Sequence, residues 1–244
     1  MTKMYEAINH IFIYTGYAEP IEHCHMAAHI IVAVEGDLKV STGGSEQQVR
    51  GILIPSGVSH MVDTGGKTVL VFLYDSTTNV AREIRAVQGL SEEICERIVA
   101  LYSEFERGND VSTYAQFEKS VLEQIGITES KGLIADSRIM TAMDYIRTHL
   151  SEKITCQEVA DFVRLSQGRL SHLFREQVGM SFAAYLVYQR ILYVYTQILQ
   201  GRSITEAAIE AGFSSSGHFA DVNRRIFGLS ARNITKDLAF IKVQ

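Results

Sequence analysis

Hydrophobic positions change their period partway along the chain. Up to about residue 75 they form short apolar or alternating runs: Ile8–Tyr14, Ala28–Val34, Leu38–Ser41, Val49–Ile54 and Thr68–Tyr74. Clusters of turn-forming residues separate them, at Glu35-Gly36-Asp37, Gly43-Gly44, Pro55-Ser56-Gly57 and Gly65-Gly66. Such runs read as β-strands, and short strands at even spacing predict a small sandwich or barrel. Farther on the period is helical. Leu90, Ile94, Ile98, Leu101 and Phe105 recur at steps of three and four, which makes one apolar stripe. Ser91 with Glu92 and Glu93 marks its start and Gly108 its stop. A second helix is predicted over Ser112–Ile125. Gly126–Asp136 has no periodicity and reads as a linker.

Beyond the linker, helices are predicted over Ser137–Leu150, Cys156–Val163, Gln167–Val178, Phe182–Leu199, Ile204–Ala211 and Ser215–Phe227. Thr155, Ser166, Ser181 and Ser203 each precede an apolar-periodic run, as helix N-caps do. The expected fold is therefore α+β in two domains. A β-rich unit spans residues 1–80, a helical packing or dimerisation segment 81–130, and an all-α unit 131–244.

The all-α unit contains a repeat. Ala160, Ser166, Leu170, Leu173, Phe174, Arg175, Gly179 and Ser181 recur as Ala208, Ser214, Phe219, Val222, Arg224, Gly228 and Ser230, at an offset of 48 to 49 residues. Each copy is a helix, a short turn and a second helix, the helix-turn-helix pattern. In the second copy Gly212 falls in the turn, where a left-handed residue is often needed. A single helical hairpin means little; two copies at fixed spacing, joined by one long helix, make coincidence much less likely.

The segment Ser166 to Arg175, then Val178-Gly179-Met180-Ser181-Phe182 with Tyr185-Leu186, resembles the AraC/XylS family of bacterial transcription regulators. Arg190, Ile204-Thr205-Glu206, Ala208, Ala211-Gly212-Phe213, His218-Phe219 and Phe227-Gly228-Leu229-Ser230 continue the resemblance, which covers about residues 137–234. It implies two recognition helices in successive major grooves of promoter DNA. Four positions depart from the family. Asp221 stands where a basic residue is usual, Asn223 where an aromatic is usual, Ala231 where Pro is usual, and His172 where Arg is common. Asp221 would repel phosphate, and Asn223 would put an amide at a core position. The second unit is therefore expected to brace the first more than to read bases; a rotated helix using Arg224 and Arg225 is the alternative.

Base reading needs donors and acceptors near the start of a recognition helix. In the first unit those are Gln167, Arg169, Ser171 and His172, with Leu170, Leu173 and Phe174 facing inward. Arg169 suits a guanine and Gln167 an adenine. Arg175, Arg224 and Arg225 suit phosphates, which position the protein without carrying sequence information. Ser215, Ser216 and His218 are the polar candidates of the second unit.

Four of the eight histidines lie between positions 23 and 60. His23, His25 and His29 are an even number of residues apart, so on one strand all three would share a face, and His60 could return from another strand after the Pro55-Ser56-Gly57 turn. The stretch from His23 to Gly36 resembles the first motif of the cupin barrel, with His29 where Glu is usual, and Pro55 to His60 resembles the second. The resemblance implies a sensor domain. Its pocket would hold either a divalent transition metal (Zn, Ni, Co, Cu or Fe) on the four imidazoles or an organic effector. A metal-dependent cupin enzyme is the rival reading, but only Glu22 and Asp63 offer acid–base groups nearby, so no enzyme is expected. The stripe Leu90, Ile94, Ile98, Leu101 and Phe105 would pack on the barrel, form a homodimer contact, or both.

Composition refines this picture. Apolar residues make up 46% and charged residues 21% of 244, ordinary for a globular protein. Three scattered cysteines, Cys24, Cys95 and Cys156, suit a reducing compartment. The first residues lack a signal-peptide run, and no apolar stretch is long enough to span a bilayer, so a cytoplasmic location is expected. The net charge of −5 argues naively against nucleic acid. It divides, however, into −9 for residues 1–130 and +4 for residues 131–244. An acidic half joined to a mildly basic one fits a sensor joined to a DNA-binding unit. A regulator of this kind implies RNA polymerase as a further partner, whereas Asp221 and Asn223 motivate a co-regulator that does not itself bind DNA.

Overall fold

A computed structural model describes residues 2–16, 22–128, 134–227 and 238–243. The strands are β1 (Thr2–Glu6), β2 (His10–Thr15), β3 (Ala27–Ala33), β4 (Leu38–Thr42), β5 (Ser45–Val49), β6 (Gly51–Ile54), β7 (His60–Asp63), β8 (Val69–Asp75), β9 (Gln88–Leu90) and β10 (Leu238–Lys242). The helices are α1 (Asn79–Glu83), α2 (Glu92–Gly108), α3 (Tyr114–Gln124), α4 (Ser137–Thr148), α5 (Cys156–Phe162), α6 (Gln167–Leu173), α7 (Phe182–Leu199), α8 (Ile204–Glu210) and α9 (Ser216–Phe227). No described helix is long and apolar enough to cross a membrane.

The strands form two sheets, one of seven strands in the order β10-β1-β2-β8-β3-β6-β9 and one of three in the order β5-β4-β7. The expected closed barrel is not found among the described residues. The ladder of the large sheet ends at β10 and β9, and the small sheet ends at β5 and β7, so the arrangement is the sandwich alternative.

Strand β3 shows why the centre holds. All seven of its residues are buried, and its side chains alternate between two cores. Ile30 and Val32 join Phe12, Leu53 and Phe72 beneath α2 and α3. Ile31 and Ala33 join Leu38, Val40, Ile52 and Ile54 between the two sheets. A strand covered on both faces needs a continuous apolar run, as Ala28–Val34 supplies.

The stripe on α2 belongs to the first of these cores. Ile98 and Phe105 are buried there, and Leu90, Ile94 and Leu101 are half-buried against it. The stripe is a face by which α2 packs on the sheet. Ser91 caps this helix, its side chain accepting from the Ile94 N–H, and Asn109 ends it in the left-handed conformation.

The helices of the second half start where the caps predict. Thr155, Ser166, Ser181 and Ser203 each accept a backbone N–H three residues on. The run Gln167–Val178 is not one regular helix, because α6 gives way at Phe174 to a π-turn that ends at Gly179, φ +79°.

The second half is also not wholly helical. Residues 238–242 form β10, which pairs in parallel with β1 from Thr2↔Leu238 to Glu6↔Lys242. Further hydrogen bonds join the halves. The Tyr188 hydroxyl lies 2.8 and 2.6 Å from the carbonyls of Ala7 and His10. Asn9 donates to the Val178 carbonyl at 3.2 Å, the Ser181 N–H to Thr77 Oγ1 at 3.3 Å, and the Met26 N–H to the Arg225 carbonyl at 2.6 Å. Met4, Ile11, Ile13, Ala27 and Leu73 of the sheet share one core with Leu186, Tyr188 and Leu192 of α7.

Candidate functional site

The repeat read from the sequence is a repeat in backbone geometry. Thr155 with Glu158 and Ser203 with Glu206 form the same capping box, 48 residues apart. The turn that follows is closed twice by the same bonds. Leu165 N–H donates to the Ala160 carbonyl at 2.8 Å, and Phe213 N–H to the Ala208 carbonyl at 3.0 Å. Arg164 and Gly212 occupy the equivalent turn position, with φ of +56° and +82°. In the second unit the glycine is obligatory on two counts. The left-handed conformation disfavours a side chain, and a Cβ there would lie 2.8 Å from the Leu150 carbonyl oxygen.

These turns set the two recognition helices on the surface. On α6, Leu170 and Leu173 are buried with Phe174 just beyond, while Gln167, Arg169, His172 and Arg175 are exposed. Ser171 is half-buried, with its hydroxyl 3.4 Å from Cys156 Sγ. His172 lies 3.5 Å from Glu176 across one turn. On α9, Phe219 and Val222 are buried, and His218, Asp221, Arg224 and Arg225 are exposed.

One candidate of the second unit has a local duty and another is partly covered. Ser215 Oγ accepts from the His218 N–H at 3.0 Å, as an N-cap does, and the Ser214 hydroxyl contacts His218 Nδ1 at 3.0 Å. Ser216 is half-buried. That leaves His218 as the exposed polar group at the start of α9, against three on α6.

The amide expected to disturb the second unit is accommodated. Asn223 is buried, and its Oδ1 accepts from the buried Tyr195 hydroxyl at 2.6 Å. At an offset of 49 the first unit has Phe174 here. The second unit thus replaces an aromatic contact by a hydrogen bond to α7. Gly228, Leu229, Ser230 and Ala231 lie outside the described residues.

The four N-terminal histidines gather, though not from one strand. His23 makes an isolated antiparallel bridge with His60, His25 lies between that bridge and β3, and His29 is within β3. The rings of His25 and His29 are 4.4 Å apart between centroids, those of His23 and His60 4.6 Å, and those of His29 and His60 4.9 Å. The set able to share one ion is three rather than four: ring nitrogens of His23, His25 and His60 lie within 4.8 Å of one another, and His29 is not among them. His23, His25 and His29 do not share one strand face, because His23 and His25 precede β3. Glu22 accepts from the Ser59 hydroxyl at 2.9 Å and Asp63 from the Gly65 N–H at 2.8 Å, so both carboxylates serve loops.

The environment disfavours the charged form of His25, His29 and His60. Burial, then the neighbouring His60 and His23, pushes His25 down to about 3. Burial holds His29 well below the usual histidine range, helped by His25, His60 and His23. Burial also lowers His60, against the opposing pull of its bond to the Val58 carbonyl. His60 Nδ1–H donates to that carbonyl at 2.8 Å, which leaves Nε2 as its free lone pair. His25 Nδ1 accepts from the Ala27 N–H at 3.2 Å, and its Nε2 is buried without a hydrogen-bond partner, as is His29 Nδ1. Buried polar groups without a partner are rare and call for an explanation.

Sequence reasoning missed the residues that tie the two halves together, Asn9, Tyr188 and the Met26 backbone. No local pattern marks them, because their partners are distant carbonyls.

Comparison with known proteins fits this geometry. A helix-turn-helix domain model matches residues 159–237. An uncharacterized HTH-type transcriptional regulator of Staphylococcus aureus (strain MSSA476) is 29% identical over 92 residues, 37% of this chain and 12% of that protein. The chain thus spans about an eighth of that relative's length. The probable transcriptional regulator LumQ of Photobacterium leiognathi is 27% identical over 222 residues, covering 85% of this chain and 89% of LumQ. Among solved structures, a transcriptional regulator of Chromobacterium violaceum described as AraC-type is 26% identical, with a TM-score of 0.37, over 39% of this chain and 87% of that one. The chain thus carries a helix-turn-helix domain over residues 159–237 and is similar to transcriptional regulators.

Proposed function

We propose that this regulator reads promoter sequence chiefly with α6, uses α9 as a brace and phosphate contact, and answers to a ligand held at the histidine cluster. The observation that carries the reading is the duplicated turn with its duplicated capping box, which fixes two exposed helices on one unit. Arg169 is assigned to a guanine and Gln167 to an adenine, with Arg175, Arg224 and Arg225 on phosphates. Asp221, exposed on α9, opposes backbone contact there. The net +4 of the second half gives a weak electrostatic footprint, so non-specific affinity should be modest, and the phosphate contacts should make binding fall with salt.

The ligand site follows from the unsatisfied nitrogens. The Ala27 N–H bond places the proton of neutral His25 on Nε2, which favours an organic molecule that accepts a hydrogen bond. A borderline divalent cation is the second reading, supported by the three gathered nitrogens. His23, His25 and His60 would hold it, and it would supply a positive charge linking the strand before β3 to β7. His25 would then carry its proton on Nδ1 and give up the Ala27 bond. Either ligand lies next to Met26, whose N–H holds the end of α9 at Arg225. Control requires the ligand to prefer one placement of that contact over another. A second copy and RNA polymerase remain partners that the family implies.

A gel-shift series with pure protein and its gene's upstream DNA tests the reading. A salt-sensitive, sequence-preferring shift is expected, and its absence would sink the DNA-binding account. Elemental analysis of untagged protein after growth in supplemented medium separates the two ligands. About one metal per chain supports the cation, and a content far below that supports the organic molecule.

A further inference from the structure

Glu6 ends β1 at the seam between sheet and helices. Its side chain is only 9% exposed, and its Oε2 makes no hydrogen bond. A cleft of about 190 Å³ opens beside it. Four separate stretches of chain line this cleft. Glu6 and Lys242 come from the paired strands β1 and β10, Arg147 from the last turn of α4, and Gln189, Tyr193 and Thr196 from one face of α7. The cleft is therefore built only when β10 has crossed from the helical half to the sheet.

Its charges are arranged by depth. The carboxyl lies inside, and Lys242 and Arg147 stand at the opening with side chains 68% and 36% exposed. The Lys242 ammonium is 3.9 Å from Glu6 Oε2, beyond hydrogen-bond reach. Arg147 meets Asp144 at 3.5 Å, an exposed pair that another carboxylate can replace. Burial pushes the Glu6 carboxyl above the usual range, and Lys242 and Arg147 pull it partly back. A buried carboxyl without a donor is an expensive group to leave unsatisfied. An ammonium with three N–H donors answers that need. A carboxylate on the same molecule would answer the two cations. The space suits such a molecule: a cavity of about 150 Å³ takes benzene, so this one has room for roughly six to nine non-hydrogen atoms.

We infer that this cleft binds a small zwitterion of the α-amino-acid class, with its ammonium on Glu6 and its carboxylate between Arg147 and Lys242. A bound molecule joins β1, β10, α4 and α7, and so fastens the helical half to the sheet. The site is separate from the histidine cluster and from both recognition helices.

The test uses the full chain, the standard L-α-amino acids added singly, and acetate and methylamine as anion-only and cation-only probes. Thermal-shift and calorimetric titration are the readouts. At least one amino acid should raise the melting temperature and titrate to one site, while neither single-charge probe does. Glu6→Gln and Arg147→Met should each weaken that amino acid about tenfold or more. Should a variant fail to fold, the N-acetyl and methyl-ester forms of the same amino acid test the two ends on the unaltered protein, and both should bind about tenfold or more weakly. No binding across the panel overturns the inference, and so does an N-acetyl form that binds as tightly as the parent. Neither result bears on DNA binding, which is read separately.

Discussion

Removing the Tyr195 hydroxyl is a sharp probe of how α9 is held. Tyr195 and Asn223 are buried at 0% and 1% exposure, and the hydroxyl donates to Asn223 Oδ1 at 2.6 Å. Burial also raises the phenol above its usual range, so it stays a donor at any ordinary pH. Tyr195→Phe keeps the ring and its edge contact with Phe219 but leaves Asn223 Oδ1 without this donor. That should cost about 1–3 kcal/mol, a drop of roughly 2–10 °C in melting temperature for a chain of this size. Asn223→Leu leaves the hydroxyl stranded and should cost a similar amount. In the double variant both ends of the bond are apolar, and such replacements are often nearly neutral. The double variant should therefore lose less than the sum of the two single losses, with a coupling of about 1–2 kcal/mol in a double-mutant cycle. Urea unfolding of the four proteins, followed by circular dichroism, gives the cycle. If Tyr195→Phe costs under ~0.5 kcal/mol, or if the single losses simply add, the bond does not hold α9 and the reasoning fails.

Other expectations follow from single sites. Ser166→Ala removes the cap of α6 and should lower stability by about 1 kcal/mol; chemical denaturation reads this, and an unchanged midpoint would contradict it. Gly212→Ala meets both the left-handed φ and the Leu150 carbonyl, so it should cost more than ~1 kcal/mol, and a melting temperature equal to wild type would refute that. Arg169→Ala should relax preference at one base pair by about 1–3 kcal/mol; a uniform loss across duplexes would make Arg169 a phosphate contact instead. For Glu6, the raised carboxyl means that the folded chain holds the proton more tightly than the unfolded chain. Stability from this group is full below the ordinary value of 4.5 and falls as pH rises through the raised one. Glu6→Gln should accordingly gain on wild type as pH climbs from 4.5, and a stability difference that ignores pH would contradict this.

Much of the helical half was legible because its signals are local. A serine or threonine before an apolar-periodic run needs only three following residues to act as a cap, and Thr155, Ser166, Ser181 and Ser203 all do so. The repeat was legible for the same reason. What escaped reading depends on distant partners. The chain 238–242 becomes a strand only because β1 offers an edge. That the α2 stripe packs inward is set by the sheet beneath it, not by its spacing. Ser215 looked like a base reader and is a cap, since the second helix starts one residue later than the first unit suggests. Three of the four histidines gather as a ligand set, but through a bridge of His23 to His60 and not through a shared strand face. Asn223 looked like a defect because its partner, Tyr195, lies on another helix.

The central claim is that α6 reads sequence while α9 contributes little to it. Selection of duplexes from a randomised pool by the pure full chain tests it most directly. The account predicts one short enriched block whose preference relaxes at one base pair in Arg169→Ala, with little enrichment one helical turn away. Two blocks of equal strength would contradict the division of labour, and a pool with no enrichment would contradict sequence reading altogether.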